Sequence, residues 1–316
     1  MGDDHALLIG LNYKGSAHEL GGAENDAIMM KETLVGQLGL RAQNVAVVKS
    51  GFSAATIEAA VARANAGKAA QFWLFFAGHG QQVVAQGSEE EDGRDEAIVT
   101  SALTMLTDDT LRRTLAKLHN GCTAIAIFDC CHSTSMLDLP HRAVLQPSTP
   151  IYKTQWVTVN QLIRQGGYRW YRIGARWRRY YIRPMYRKRR VRQTVEVPTA
   201  PRLAVTQHKQ TQKPQTGPRF ICISAAQENQ ASVGIQDKEG KWAGAFTTSL
   251  CAALTPPRNL TTLEVLRRIE AISRQKGISQ ISSISSTTPL SASTHLFSTD
   301  PPPILLRRNQ YRPNSS

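Results

Sequence analysis

Four short, uninterrupted apolar runs constrain this chain more than any other feature. They are His5-Ala-Leu-Leu-Ile-Gly-Leu11, Val45-Ala-Val-Val48, Gln71-Phe-Trp-Leu-Phe-Phe-Ala77 and Thr123-Ala-Ile-Ala-Ile-Phe128. Runs this short, without polar alternation, are what strands buried on both faces need. Helical spacing fills the gaps between them. Ala27, Met30, Leu34 and Leu38 recur at helical intervals, Ser53 caps an Ala-rich stretch to about Asn65, and Thr107-Asp108-Asp109 opens a helix to about Leu118. This β-α-β-α order predicts an α/β fold, a mostly parallel sheet with helices on both faces. Ala97-Ile-Val99 reads as a short strand and Arg219–Ser224 as a further one. Gly244–Leu254 reads as a helix, and Thr261-Thr-Leu-Glu264 as a capping box opening a helix to roughly Arg274. A last strand is expected at His295-Leu-Phe297.

Several classes of protein are excluded early. The longest apolar stretch, Phe72–Ala77, is too short to cross a bilayer, and the N-terminus has no basic region followed by a long apolar one. Five cysteines without a CxxC pair argue against a disulfide framework or a thiolate zinc site. A cytoplasmic protein is the expectation.

Charge is concentrated in one place. The net charge is +14, yet residues 151–220 hold 17 Lys or Arg against one acid, Glu196, and the rest of the chain sums to −2. Regular patterning lapses from about Pro140 to Pro218, so this segment reads as a basic, irregular insertion. Within it, Arg164 to Arg192 carries twelve basic residues, no acid and seven Tyr or Trp. Three readings stay open: a loop cut by the protein itself, a polyanion contact with nucleic acid or anionic membrane, or an insertion without a dedicated role. The Pro-rich tail from Pro301 is expected to be disordered.

In open α/β sheets, ligands sit beyond the carboxyl ends of the strands. Two of the strands end there in reactive side chains, one in His79 and the other in Asp129, Cys130 and Cys131. Neighbouring strands lie about 5 Å apart, so such ends can meet. A thiolate attacks a carbonyl, and an imidazole supports it by ion pairing and proton transfer. The glycines around His79 leave room for a substrate backbone. On these residues alone, each cysteine reads equally well as a small buried hydrophobe.

Beyond this, the chain resembles the type I metacaspases of the caspase-like cysteine peptidases. The resemblance rests on Ala6-Leu-Leu-Ile-Gly-Leu-Asn-Tyr13, Asn25-Asp26-Ala27, Phe76-Ala-Gly-His-Gly-Gln81 and Asp92-Gly-Arg-Asp-Glu96. It continues through Asp129-Cys-Cys-His-Ser133, Leu137-Asp-Leu-Pro140, Gly244-Ala-Phe-Thr247 and a Ser-rich terminal strand. It implies a large-subunit-like region at 1–140, the basic insertion at 141–217, a small-subunit-like region at 218–298 and the tail at 299–316. It implies His79 as general base and Cys131, the thiol directly before His-Ser, as nucleophile, with Cys130 in a variable position. Backbone N–H groups near Gly80 and Cys131 are the implied oxyanion donors.

Asp26 and Asp129 are assigned by the resemblance to the pocket holding the residue before the cut, which selects Arg or Lys. Strand alternation puts Asp129 on the face of Cys131; the competing reading makes Asp129 a cap or a backbone-bonded turn residue. Asp95, Asp108, Asp109 and Asp138 match acidic positions that bind calcium in family members. Sequence alone leaves them as a helix cap and a solvated acidic loop, with Glu89, Glu90, Glu91 and Asp92 as exposed charge. No organic cofactor is implied, the partners are protein or peptide substrates, and the expected state is a monomer. A long N-terminal prodomain is not expected. The chain departs from the pattern at Ala23, Ala77 and Thr134, and it lacks a common Pro-Val-Asp between Val99 and Asp108. A non-catalytic scaffold whose Arg-rich insertion binds polyanions is therefore the alternative.

Overall fold

The structure, a computed structural model, describes residues 4–84, 94–131, 136–146, 151–197, 201–207, 217–225, 234–236, 242–255, 260–277 and 281–297. The elements begin with β1 (His5–Gly10), α1 (Ala23–Gly36), β2 (Val45–Val48), α2 (Ala54–Ala66), β3 (Gln71–Ala77) and β4 (Gly80–Val84). They continue with β5 (Arg94–Val99), β6 (Met105–Thr107), α3 (Asp108–Leu115), β7 (Thr123–Asp129), β8 (His141–Gln146) and β9 (Ile151–Arg164). Next come β10 (Gly167–Ile173), β11 (Arg176–Ile182), β12 (Met185–Val197), β13 (Arg202–Gln207) and β14 (Arg219–Ser224). The last are β15 (Gly234–Gln236), β16 (Trp242–Gly244), α4 (Ala245–Ala253), α5 (Thr262–Gln275) and β17 (Ser283–Ser286). Two compact units result, Met1–Gln146 with Leu203–Ser316, and Pro147–Arg202.

The first unit is built on an eight-stranded sheet in the order β13-β8-β17-β14-β7-β3-β1-β2. β2, β1, β3, β7 and β14 are parallel, while β17 and β8 pair antiparallel. Alternation along each strand divides the core in two. Ala6, Leu8, Trp73, Phe75, Ile125 and Ile127 pack toward Ala27, Met30 and Leu34 of α1 and toward α4 and α5. Leu7, Ile9, Phe72, Phe76, Ala124 and Phe128 pack on the other side with Ile57 and Val61 of α2 and Leu111 and Leu115 of α3. Both faces are covered, which is why the strands read as unbroken apolar runs. β4, β5 and β6 form a separate antiparallel sheet. No helix among the described residues is long and apolar enough to cross a membrane.

Two expectations are corrected. The last strand is β17, Ser283–Ser286; His295 makes only an isolated bridge to Thr261. Serines occupy a central strand because their hydroxyls are paired: Ser283 Oγ lies 2.7 Å from Ser224 Oγ, and Ser286 Oγ donates to the Phe220 carbonyl at 3.0 Å. The insertion, in turn, is not irregular. It consists of two antiparallel ribbons, β9 with β12 and β10 with β11. It is also shorter than 141–217, because β8 and β13 join the main sheet.

Candidate active site

Parallel register brings the ends of β3 and β7 to one edge: Ala77 is opposite Asp129, and the Gly78 amide donates to the Asp129 carbonyl at 3.4 Å. The segments beyond them stay together. A methyl group on Gly80 would lie 2.1 Å from the Cys131 carbonyl oxygen, so only glycine lets the His79 loop rest on the cysteine turn. His79 and Cys131 therefore leave the sheet side by side. Gly80, whose N–H is one expected oxyanion donor, is itself in this contact and begins β4 opposite Ile98.

His79 is held from several sides. Its amide donates to Tyr13 Oη at 3.2 Å, and that hydroxyl donates to the Val99 carbonyl at 2.8 Å. The Tyr13 ring lies 4.9 Å from the imidazole, centroid to centroid. His79 Nε2 lies 2.8 Å from the His18 carbonyl oxygen. A carbonyl only accepts, so this contact places the ring proton on Nε2 and leaves Nδ1 as the basic nitrogen. Tyr13 and His18 were quoted for no role in the sequence. Tyr13 sits within a matching motif, but its bridging hydroxyl is a tertiary feature without a local signal.

The two adjacent cysteines are separated by burial. Cys131 is partly exposed. Cys130 is fully buried, and burial, reinforced by the negative charge of Asp129, pushes its thiol well above the ordinary range. A thiol held neutral in the core is a poor nucleophile, whereas Cys131 is the accessible thiol of the pair.

Asp26 and Asp129 converge on Gly244. Asp26 Oδ1 accepts from the Gly244 amide at 2.7 Å, and Asp129 Oδ2 accepts from the Thr247 amide at 3.2 Å and its hydroxyl at 2.7 Å. A methyl on Gly244 would lie 2.2 Å from Asp129 Oδ2. Both carboxylates are buried, at 3% and 5% exposure. Asp129 is thus a backbone-bonded carboxylate, as the competing reading held, but its partners lie in the first turn of α4, where a negative charge is favoured. Thr247, quoted in the sequence without a role, is the hydrogen-bond partner of Asp129. Burial, and next the repulsion from Asp129, push the Asp26 carboxyl up to about 8. At neutral pH Asp26 therefore holds a proton. Ala77 and Ala23 are both buried beside this region, so these departures add only methyl groups to packed core.

A consequence for stability follows from Asp26. Its native pKa of about 8 stands above the ordinary value of 3.8. The native state then binds a proton that the unfolded chain has released, so this group's contribution is complete below the unfolded value and is lost as pH climbs to about 8. Asp26→Asn is neutral at every pH. It is expected to raise Tm more at pH 8 than at pH 5, by several degrees, in thermal unfolding; an equal shift at both pH values contradicts the assignment.

The acidic positions divide as well. Glu96, Asp108 and Asp138 each bring a ligand oxygen within 4.8 Å of the others, a set that includes neither Asp95 nor Asp109. Asp95 and Glu96 are neighbours on β5 and face opposite ways, and it is Glu96 that is buried. Asp108 Oδ1 accepts from the Asp109 amide at 2.8 Å, whereas Asp108 Oδ2 is buried without a hydrogen-bond partner. Burial raises the Asp108 carboxyl pKa, with the adjoining Asp138 and the Asp109 amide pulling it back. Leu137 and Asp138 adopt left-handed backbone at φ 78° and 42°. An all-oxygen set with an orphaned buried oxygen fits a hard divalent cation. Glu89 to Asp92, Ser133, Thr134 and the tail from Pro301 lie outside the described residues.

A family model described as Caspase domain matches residues 3–292. Metacaspase-9 of Arabidopsis thaliana is 32% identical over 143 residues, 42% of this chain and 44% of that relative. Metacaspase-1 of Schizosaccharomyces pombe is 32% identical over 154 residues, 44% of this chain and 36% of that relative. The match thus spans less than half the length of these curated relatives. Among solved structures, a protein of Geobacter sulfurreducens superposes with a TM-score of 0.51 at 19% identity, covering 93% of this chain and 97% of that one. This last likeness is one of fold alone.

Proposed function

Because the chain belongs to the caspase-domain family, we propose that it is a metacaspase-like cysteine endopeptidase cutting peptide bonds after Arg or Lys. The observation that supports this most is the contact of Gly80 with the Cys131 carbonyl, which sets an imidazole loop against a partly exposed thiol beside two buried carboxylates. The Cys131 thiolate attacks the substrate carbonyl carbon, and backbone amides of Gly80 and Cys131 take the oxyanion. The C–N bond breaks as the His79 imidazolium gives its proton to the leaving amine, leaving an acyl-enzyme. Water, deprotonated by His79, then releases the carboxylic acid and regenerates the thiol. The His18 carbonyl holds the imidazole in the tautomer this sequence needs. Asp129 and Asp26 receive the guanidinium or ammonium of the residue before the cut. The same preference makes arginines of the insertion sites for self-processing.

Calcium is the metal proposed here, held by Glu96, Asp108 and Asp138 with Asp95 and Asp109 as nearby charge. A bound divalent ion supplies the positive charge that lets neighbouring buried carboxylates ionise together. Calcium is expected to raise the Tm of the wild-type protein. Glu96→Gln is expected to abolish that rise and Asp95→Asn to keep it, which distinguishes the triad from the wider acidic set. The activity is tested with Arg-ended and Asp-ended fluorogenic peptides, each with calcium and with chelator. Cleavage of the first alone is expected; no cleavage of either favours a scaffold.

A further inference from the structure

The insertion carries chemistry that peptide hydrolysis does not use. In the β10–β11 ribbon, Tyr168 is opposite Tyr181, Trp170 opposite Arg179 and Arg172 opposite Trp177. Opposed residues share a face and successive residues change face. One face therefore gathers those four rings with two guanidiniums, and the other carries Arg169, Tyr171, Arg176, Arg178 and Tyr180. The rings are open to solvent, with Tyr168 and Trp177 at 64% exposure and Trp170 at 61%. Aromatic surface left this exposed marks a binding site. Guanidiniums lie over the rings: Arg179 is 4.4 Å from the Tyr168 centroid and 5.9 Å from that of Trp170. The β9–β12 ribbon repeats the pattern, with Arg192 5.0 Å and Arg190 5.9 Å from the Trp156 ring. Residues 164–192 contain no acid to neutralise their twelve cations.

We propose that this ribbon unit binds single-stranded nucleic acid, its rings stacking on unpaired bases and the interleaved arginines taking phosphates. Charge complementarity calls for a polyanion, and the exposed ring faces call for planar partners with which they and the guanidiniums can stack. A duplex keeps its base faces inside the stack and so offers the rings nothing. A lipid surface offers negative charge too, but segments lying in a membrane interface separate an apolar face from a charged one. Here, sinking the ring-rich face would take Arg172 and Arg179 with it. The inference does not depend on the peptidase reading, and either can fail alone.

The test uses the full-length protein and a fluorescein-labelled oligo(U) of about 20 nucleotides, a length that exceeds single-module site sizes. Anisotropy should show binding that weakens steeply between about 50 and 200 mM salt. The Trp170→Ala, Trp177→Ala pair leaves the charge unchanged. It should bind about 30-fold or more weakly, as expected for two lost stacking platforms, with an unchanged salt slope. The corresponding Trp→Phe pair retains rings and should recover most of the affinity, which separates stacking from misfolding. Duplex RNA of equal length and vesicles of mixed phosphatidylcholine and phosphatidylserine should compete poorly. Absence of salt-sensitive binding, an Ala pair as tight as wild type, equal duplex affinity, or preference for the vesicles would each overturn the proposal.

Discussion

Cys131→Ala is expected to abolish hydrolysis of an Arg-ended peptide, while Cys130→Ala retains it. The loss should be on the order of 10⁶-fold in kcat, the scale at which removal of a peptidase nucleophile acts. The contrast between adjacent residues is the informative part. Cys130 sits in the core with its thiol forced neutral, so its removal costs packing and no chemistry. Cys131 is partly exposed on the turn that Gly80 touches. His79→Ala should fall nearly as far as Cys131→Ala, and the double variant no further, because the two groups act as one unit. Self-cleavage, followed by gel electrophoresis of the stored protein, should vanish in the same variants. Steady-state turnover of the four variants and the wild type decides the matter. Equal rates in Cys131→Ala and wild type would remove the mechanism.

Asp129→Asn is expected to have the second largest effect and to change which peptides are cut. An Asn oxygen can still accept from the Thr247 amide and hydroxyl, so shape is retained while the buried charge disappears. Losing one side of a buried, hydrogen-bonded charge pair costs about 2–5 kcal/mol. For Arg-ended peptides kcat/KM should fall by roughly 30-fold or more, with little change for a peptide ending in an uncharged residue of similar length. The pH dependence should move as well. In the wild type, affinity for an Arg peptide rises as pH passes about 8, because Asp26 then adds its own charge. Without Asp129 one cause of that elevation is gone, so the rise moves to lower pH. KM measured across pH for both peptides tests this; unchanged discrimination would show that the pair does not hold the basic side chain.

The extent to which the site was legible depended on which physical signal each part leaves. His79, Cys131, Asp26 and Asp129 sit at ends of apolar runs or beside motifs, and the parallel sheet translates those ends into one rim. The burial of Glu96 in place of Asp95 has no sequence signal because the two are adjacent acids, and only the pairing of β5 determines which one faces inward. Thr247 acts through the first turn of α4, whose approach to β7 leaves no local trace. The ribbons of the insertion were missed for a different reason. Strand reading looks for apolar–polar alternation, whereas Tyr168 to Ile173 and Arg176 to Ile182 intermix rings and guanidiniums and have no buried face. Their abundance of Tyr, Trp and Ile, and the two residues Gly174-Ala175 joining the runs, were the available clue. The serine strand β17, implied by the resemblance as a Ser-rich terminal strand, leaves no mark in the apolar pattern because its burial relies on hydroxyl pairs across strands rather than on apolar side chains.

The most direct measurement is to inactivate the full-length protein with an Arg-ended peptidyl chloromethyl ketone and locate the adduct by peptide mass mapping. The Cys131–His79 chemistry requires one equivalent, on Cys131, with labelling lost in His79→Ala. An adduct on Cys130, or modification of Cys131 that proceeds equally well without the His79 imidazole, would contradict it.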